Sequence, residues 1–93
     1  MMRQNSAEAL ALQALTWLAA EEGLIGDFMA ATGVAPEDLA RTAAQPEFLA
    51  SVLDFLLLED RWIMAFCDAQ GLAYDQPMQA RAALPGGAAM NWT

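Results

Sequence analysis

The chain has 93 residues, with 12 carboxylate side chains against four arginines, no lysine and no histidine, for a net charge of −8. Such a length allows one domain, which buries about two-thirds of its unfolded surface and leaves little room for a deep catalytic cleft. The charge speaks against nucleic acid and anionic membranes, both of which need cations to replace counterions, and the lack of histidine excludes triads, imidazole acid–base schemes and histidine-based metal sites.

Residues 1–4 precede any periodic pattern and are read as a disordered N-terminus, with a single helical domain over 5–87 and a C-terminal tail over 88–93. Asn5 followed by Glu8 has the spacing of a capping box. Leu10, Ala14, Leu15, Trp17 and Leu18 then recur with a helical period, Gln13 and Thr16 opposite. This predicts a first helix ending near Gly23, which is free to adopt the left-handed conformation that closes helices. The stretch also has the look of a signal peptide, with Arg3 ahead of Ala9–Ala20. Glu8, Gln13 and Thr16 interrupt it, and the helix reading is the better one.

Leu24, Ile25, Phe28 and Met29 predict a short second helix stopping at Gly33, with Asp27 on the outer side. Pro36 suits the first position of a third helix, because proline lacks only an N–H that would be unpaired there. Glu37 and Asp38 face the positive end of its dipole. Val34 and Leu39 stand at the two positions of a hydrophobic staple. That helix runs to about Ala43.

Pro46-Glu47 opens a fourth helix in the same way. Phe48, Leu49, Val52, Leu53, Phe55 and Leu56 form its broad apolar face, and Ser51 and Asp54 lie outside. A break near residue 58 follows, with Asp60 in place to cap a fifth helix. Trp62, Ile63, Phe66 and Cys67 share a face of that helix, and Gly71 ends it. Asp75 to Leu84 reads as a sixth, mostly polar helix with Pro77 in its first turn. Leu84-Pro85-Gly86-Gly87 is a stop. The fold class is therefore all-α, a compact irregular bundle of five or six short helices. Its core is expected to hold Trp17, Leu18, Phe28, Leu39, Phe48, Val52, Phe55, Trp62, Ile63 and Phe66.

Alanine supplies 21 residues of a 57% hydrophobic composition. The excess is read chiefly as helix propensity, since alanine loses no side-chain entropy on folding. The longest apolar run, Phe48 to Leu58, is cut by Asp54 and falls far short of the ~20 residues a membrane span needs. The single cysteine fits a reducing compartment. A cytoplasmic location follows as the expectation.

Trp17-Leu18-Ala19, Phe28-Met29 leading to Thr32-Gly33, Pro36-Glu37-Asp38-Leu39, Pro46-Glu47-Phe48-Leu49, Val52-Leu53-Asp54-Phe55-Leu56 and Phe66 together resemble a family of small alphaproteobacterial proteins catalogued as a domain of unknown function. The likeness covers roughly residues 8 to 87. It rests on apolar spacing and helix caps, so it implies a bacterial, cytoplasmic helical protein and carries over no catalytic or binding residue.

No catalytic constellation is present, and no enzymatic activity and no cofactor are expected. Cys67 lies on the apolar face of its helix, where thiols are inert. The pairs Glu21-Glu22, Glu37-Asp38 and Glu59-Asp60 are adjacent in sequence, so their carboxylates do not face each other on a helix. Gly23 and Gly26 lack the lysine of a phosphate loop. Arg61 and Arg81 either dock partner carboxylates or neutralise nearby acids.

Five residues remain without a place in the core: Leu57, Leu58 and Met64 off their helical stripes, and Met90 and Trp92 in the tail. They form the expected contact region for a protein partner or for self-association, unless the tail folds back over the leucines. The favoured function is a protein–protein interaction or accessory module. The alternative is a bundle holding a small apolar ligand between its fourth and fifth helices, and an enzyme working with carboxylates alone comes last.

Overall fold

The computed structural model describes residues 2–21 and 23–85. Met90 and Trp92 lie outside the described residues, as does Glu22. Among the described residues the chain forms α1 (Gln4–Ala20), α2 (Leu24–Thr32), α3 (Leu39–Thr42), α4 (Pro46–Leu56), α5 (Asp60–Gln70) and α6 (Gln76–Ala82), with a 3-10 turn at Pro36–Asp38 leading into α3. No strand occurs among them, and the expected all-α bundle of short helices is the fold.

Helix α1 buries Ala7, Leu10, Ala11, Ala14, Trp17 and Leu18 on one face. That face packs on α4 and α6. Ala7, Ala11, Ala14, Ala50 and Ala80 are all buried. The alanine excess thus has a second role beyond helix propensity. A methyl side chain between crossing helices leaves room for the neighbouring ridge to seat in the groove.

The ends of α1 differ from the sequence expectation. The helix begins at Gln4, after an extended Arg3, and no side chain caps it. Asn5 is already inside the first turn, so it is not placed to act as a cap. Gln4 Nε2 donates to Glu8 Oε2 at 3.0 Å instead. At the other end α1 stops at Ala20, and Glu21 is extended. Gly23, at φ 88°, directly precedes α2 rather than closing α1. A positive φ is cheap only for glycine, so the residue expected at a helix end serves at the next helix start.

Helix α4 is the central element. Seven of its residues are buried, Phe48, Leu49, Ala50, Val52, Leu53, Phe55 and Leu56, against α1, α6 and α2. Full burial of a leucine or phenylalanine side chain is worth about 1.5–3 kcal/mol each. Edge-to-face ring contacts direct the packing: Phe28 meets Phe48 at 5.7 Å and Phe55 at 5.5 Å, joining α2 to α4. Trp17 meets Phe66 at 5.9 Å, joining α1 to α5.

On α5, Phe66 and Cys67 are buried as expected, but Trp62 and Ile63 are only partly covered. Leu39 is partly covered as well. Trp62 stacks on Phe55 with centroids 5.0 Å apart and planes 20° from parallel, so one of its faces is packed. The residue at the N-cap of α5 is Glu59, not Asp60, and its side chain makes no capping bond. Gly71, at φ 71°, ends the helix, and Leu72 N–H returns to the Cys67 carbonyl at 2.9 Å. This is the wrapped ending that glycine makes possible.

Helix α6 is shorter than Asp75 to Leu84 and less polar in its surroundings than its sequence suggests. Pro77 and Ala80 are buried, and so is Leu84 beyond its end. Between Phe28 and Phe48 no side chain is fully buried. That arm touches the core through the partly covered Met29, Val34 and Leu39. No helix among the described residues is long and apolar enough to cross a membrane.

Candidate functional site

The three described residues of the expected contact region separate in space. Leu57 is half-buried in the turn after α4. Leu58, 70% exposed, lines an open depression of about 230 Å³ with Ala31, Thr32, Ser51, Asp54 and Phe55. Met64, 44% exposed, lines a different depression of about 350 Å³ with Asp60, Ile63, Tyr74 and Met78. A turn at residues 57 and 58 separates α4 from α5, and leucine and methionine six positions apart line different depressions.

Tyr74 and Met78 escaped the sequence reading. They are 51% and 65% exposed, and with Met64 they make the larger depression apolar. The sequence predicts a mostly polar helix over Asp75 to Leu84. Yet Pro77, Ala80 and Leu84 are buried, and that spacing phases α6. Met78, next to the buried Pro77, then falls on another side of α6, and Tyr74 lies in the turn before that helix. Pro77 as a first-turn residue was the available signal.

Asp60 lines this larger depression, and Asp68 is joined to its lining through Tyr74. Asp60, Met64 and Asp68 follow one another at intervals of four along α5, which aligns them on one stripe. The Tyr74 hydroxyl donates to Asp68 Oδ1 at 2.7 Å. That bond, reinforced by partial desolvation and the negative charge of Asp68, raises the phenol above its ordinary pKa. Gln79 Nε2 donates to Asp75 Oδ2 at 2.9 Å. Among the described residues no ion pair involves Asp60, Asp68 or Asp75.

Cys67 is buried, with Sγ 3.5 Å from the Ala73 carbonyl oxygen to which it donates. Burial pushes its thiol pKa up, and the negative charges of Asp68 and Asp75 push it further. A thiol held protonated and covered is a poor nucleophile.

Both arginines singled out in the sequence sit against carboxylates of their own chain. Arg81 Nε donates to Asp54 Oδ1 at 2.6 Å and Arg81 Nη1 to the Pro85 carbonyl at 3.0 Å. Arg61 Nε is 3.5 Å from Glu59 Oε1, with its guanidinium carbon 6.0 Å from the Trp62 ring centroid. Asp38 of the second acidic pair is 2.6 Å from Arg41. No polar or charged side chain among the described residues is buried. No group of three or more cysteine, aspartate or glutamate side chains among them is placed to hold a metal ion.

Residues 4–87 match the model of a family described as a protein of unknown function (DUF3572), and the chain belongs to that family. The match begins four residues earlier than the resemblance noted in the sequence and ends at the same residue. No curated protein and no solved structure matches the chain.

Proposed function

From that family membership and the geometry above, we propose that the protein is a small interaction or accessory module of the bacterial cytoplasm, of alphaproteobacterial origin, which acts by binding another protein. The observation that carries this reading is the clustering of Met64, Tyr74 and Met78, three large exposed side chains, around one open depression. Single exposed hydrophobes are ordinary, but neighbouring ones around a concavity are characteristic of contact surfaces. Methionine and tyrosine are favoured there, because methionine adapts its shape and tyrosine adds a polar tip. The lone cysteine and the lysine-free, alanine-rich composition support the bacterial and cytoplasmic parts of the reading.

The apolar-ligand alternative draws less support, because both depressions are open to solvent rather than enclosed, and small-molecule sites bury most of their ligand. The test is site-specific photo-crosslinking in living bacteria. A photoreactive amino acid at position 64 or 78 should yield a discrete protein adduct. The same group at Leu12, exposed on α1 and lining neither depression, should not. Absence of any adduct from both groove positions would overturn the reading.

A further inference from the structure

The interaction surface has a charge pattern as well as an apolar lining, and the two together narrow the partner. Met64, Tyr74 and Met78 line the depression together with Ile63. Asp60 lines the depression at the start of α5, and Asp68 holds the Tyr74 hydroxyl two turns further along that helix. Asp75 lies on the chain between Tyr74 and α6. Asp60 and Asp68 are eight residues apart, about 12 Å along the axis at ~1.5 Å per residue.

No cation neutralises these carboxylates among the described residues. Arg81 is held by Asp54 and the Pro85 carbonyl. Arg61 is next to Asp60 in sequence, but it is off the stripe of residues 60, 64 and 68 and pairs with Glu59 beside Trp62. The whole chain adds a net charge of −8, so the field that an approaching partner meets has the same sign as these carboxylates.

We propose that the Met64–Tyr74–Met78 groove receives a basic amphipathic helix of a partner protein, its apolar side chains on the two methionines and its Lys or Arg side chains on Asp60 and Asp68. This rests on the interaction-module reading and specifies the partner's chemistry. An amphipathic helix laid in a methionine-lined groove presents apolar anchors three or four residues apart. Cations two turns apart on that helix match the separation of the two aspartates. A second copy of this chain is a poor occupant, because it would bring its own excess of carboxylates to the same aspartates. The segment over residues 86–93 is a poor occupant too, because it contains no Lys or Arg.

The test uses the full chain with methionine methyl groups labelled for NMR, Met64 and Met78 being assigned through Met64→Leu and Met78→Leu. The probes are two synthetic amphipathic helices of about four turns, with identical leucines and either lysines or glutamates at the flanks. The lysine peptide should shift both methyl signals, and the glutamate peptide should shift neither. Asp60→Asn and Asp68→Asn should each weaken the lysine peptide about two- to fivefold, the range of an exposed ion pair. Asp60 is exposed, so Asp60→Asn alone keeps the test valid if the Asp68 change disturbs the fold.

Equal response to the two peptides, or no response to either, overturns the basic helix. So do methyl shifts that track the protein's own concentration, which identify a second copy. Deletion of residues 86–93 that moves both methyl signals without peptide identifies the tail as occupant and overturns it as well. The photo-adduct separates this failure from that of the broader reading. An adduct at position 64 or 78 whose partner segment lacks Lys and Arg leaves the interaction module standing without the basic helix. An adduct on a segment with flanking Lys or Arg supports both.

Discussion

Arg81 and Asp54, 27 positions apart in the chain, meet at 2.6 Å across the junction of α6 and α4, and the arginine is the more covered of the two, its side chain 14% exposed against 54% for the aspartate. The asymmetry sets the expected outcome of mutation. Asp54→Ala removes one exposed partner and should cost about 0.5–1 kcal/mol. Arg81→Ala also removes the packing of the aliphatic stem and the bond to Pro85, and should cost about 1–2 kcal/mol. Urea denaturation of the two single variants and the double variant gives the coupling, expected at about 0.5–1 kcal/mol. Equal costs for the two singles would refute the asymmetry.

The buried alanines of α1 give a second expectation. Ala11 is fully covered between helices, whereas Ala9, two positions earlier, is exposed. Ala11→Leu should destabilise by about 1–3 kcal/mol through overpacking. Ala9→Leu should stay within about 0.5 kcal/mol of the parent. Thermal melts of both variants check this, and a tolerant Ala11 would mean that α1 does not pack as described.

Cys67 should resist thiol reagents in the native state and react once denaturant is added. Its raised pKa has a definite sign in stability. The folded state favours the protonated thiol, so this contribution is complete below the pKa of the unfolded thiol and is lost as pH rises through the higher folded value. Alkaline melts of the parent should therefore fall more steeply than those of Cys67→Ala. At neutral pH that variant should be less stable by about 1 kcal/mol, from the small cavity it leaves.

Tyr74 is the one tyrosine of the chain, so its ionisation can be followed alone by ultraviolet difference absorbance. The bond to Asp68 raises its pKa. Titration should show tyrosinate appearing at higher pH than in a denatured control. Asp68→Asn removes the charge and should bring the transition down toward the ordinary value. An unchanged transition would show that the hydrogen bond is absent in solution.

Most of the fold was legible because α4 and the helix punctuation are written in residue types. Pro36, Pro46, Gly33 and Gly71 stand where helices begin or end, and the apolar stripe of Phe48 to Leu56 is the helix that others pack against. The surface was less legible. Leu57, Leu58 and Met64 share the property of lying off the apolar stripes of their helices, but the turn between α4 and α5 leaves Leu58 and Met64 in different depressions. Met78 is hard to read because a helix of seven residues offers too few turns for a period to stand out, and Tyr74 because it lies in the turn before that helix. Trp62 shares its helical face with Phe66 and Cys67 and so reads as core, yet near the start of α5 its large ring is only partly covered.

The arm between Phe28 and Phe48, which leaves no side chain fully buried, has a consequence for how the molecule opens. Amide hydrogens there are held by the last turn of α2, the 3-10 turn, the short α3 and a few loop bonds, while those of α4 depend on the whole bundle. Exchange with solvent should proceed in the arm through local unfolding, at a small fraction of the free energy that global unfolding needs. A protease added under native conditions should cut first in this stretch, leaving α4 to α6 in one fragment and α1 in the other.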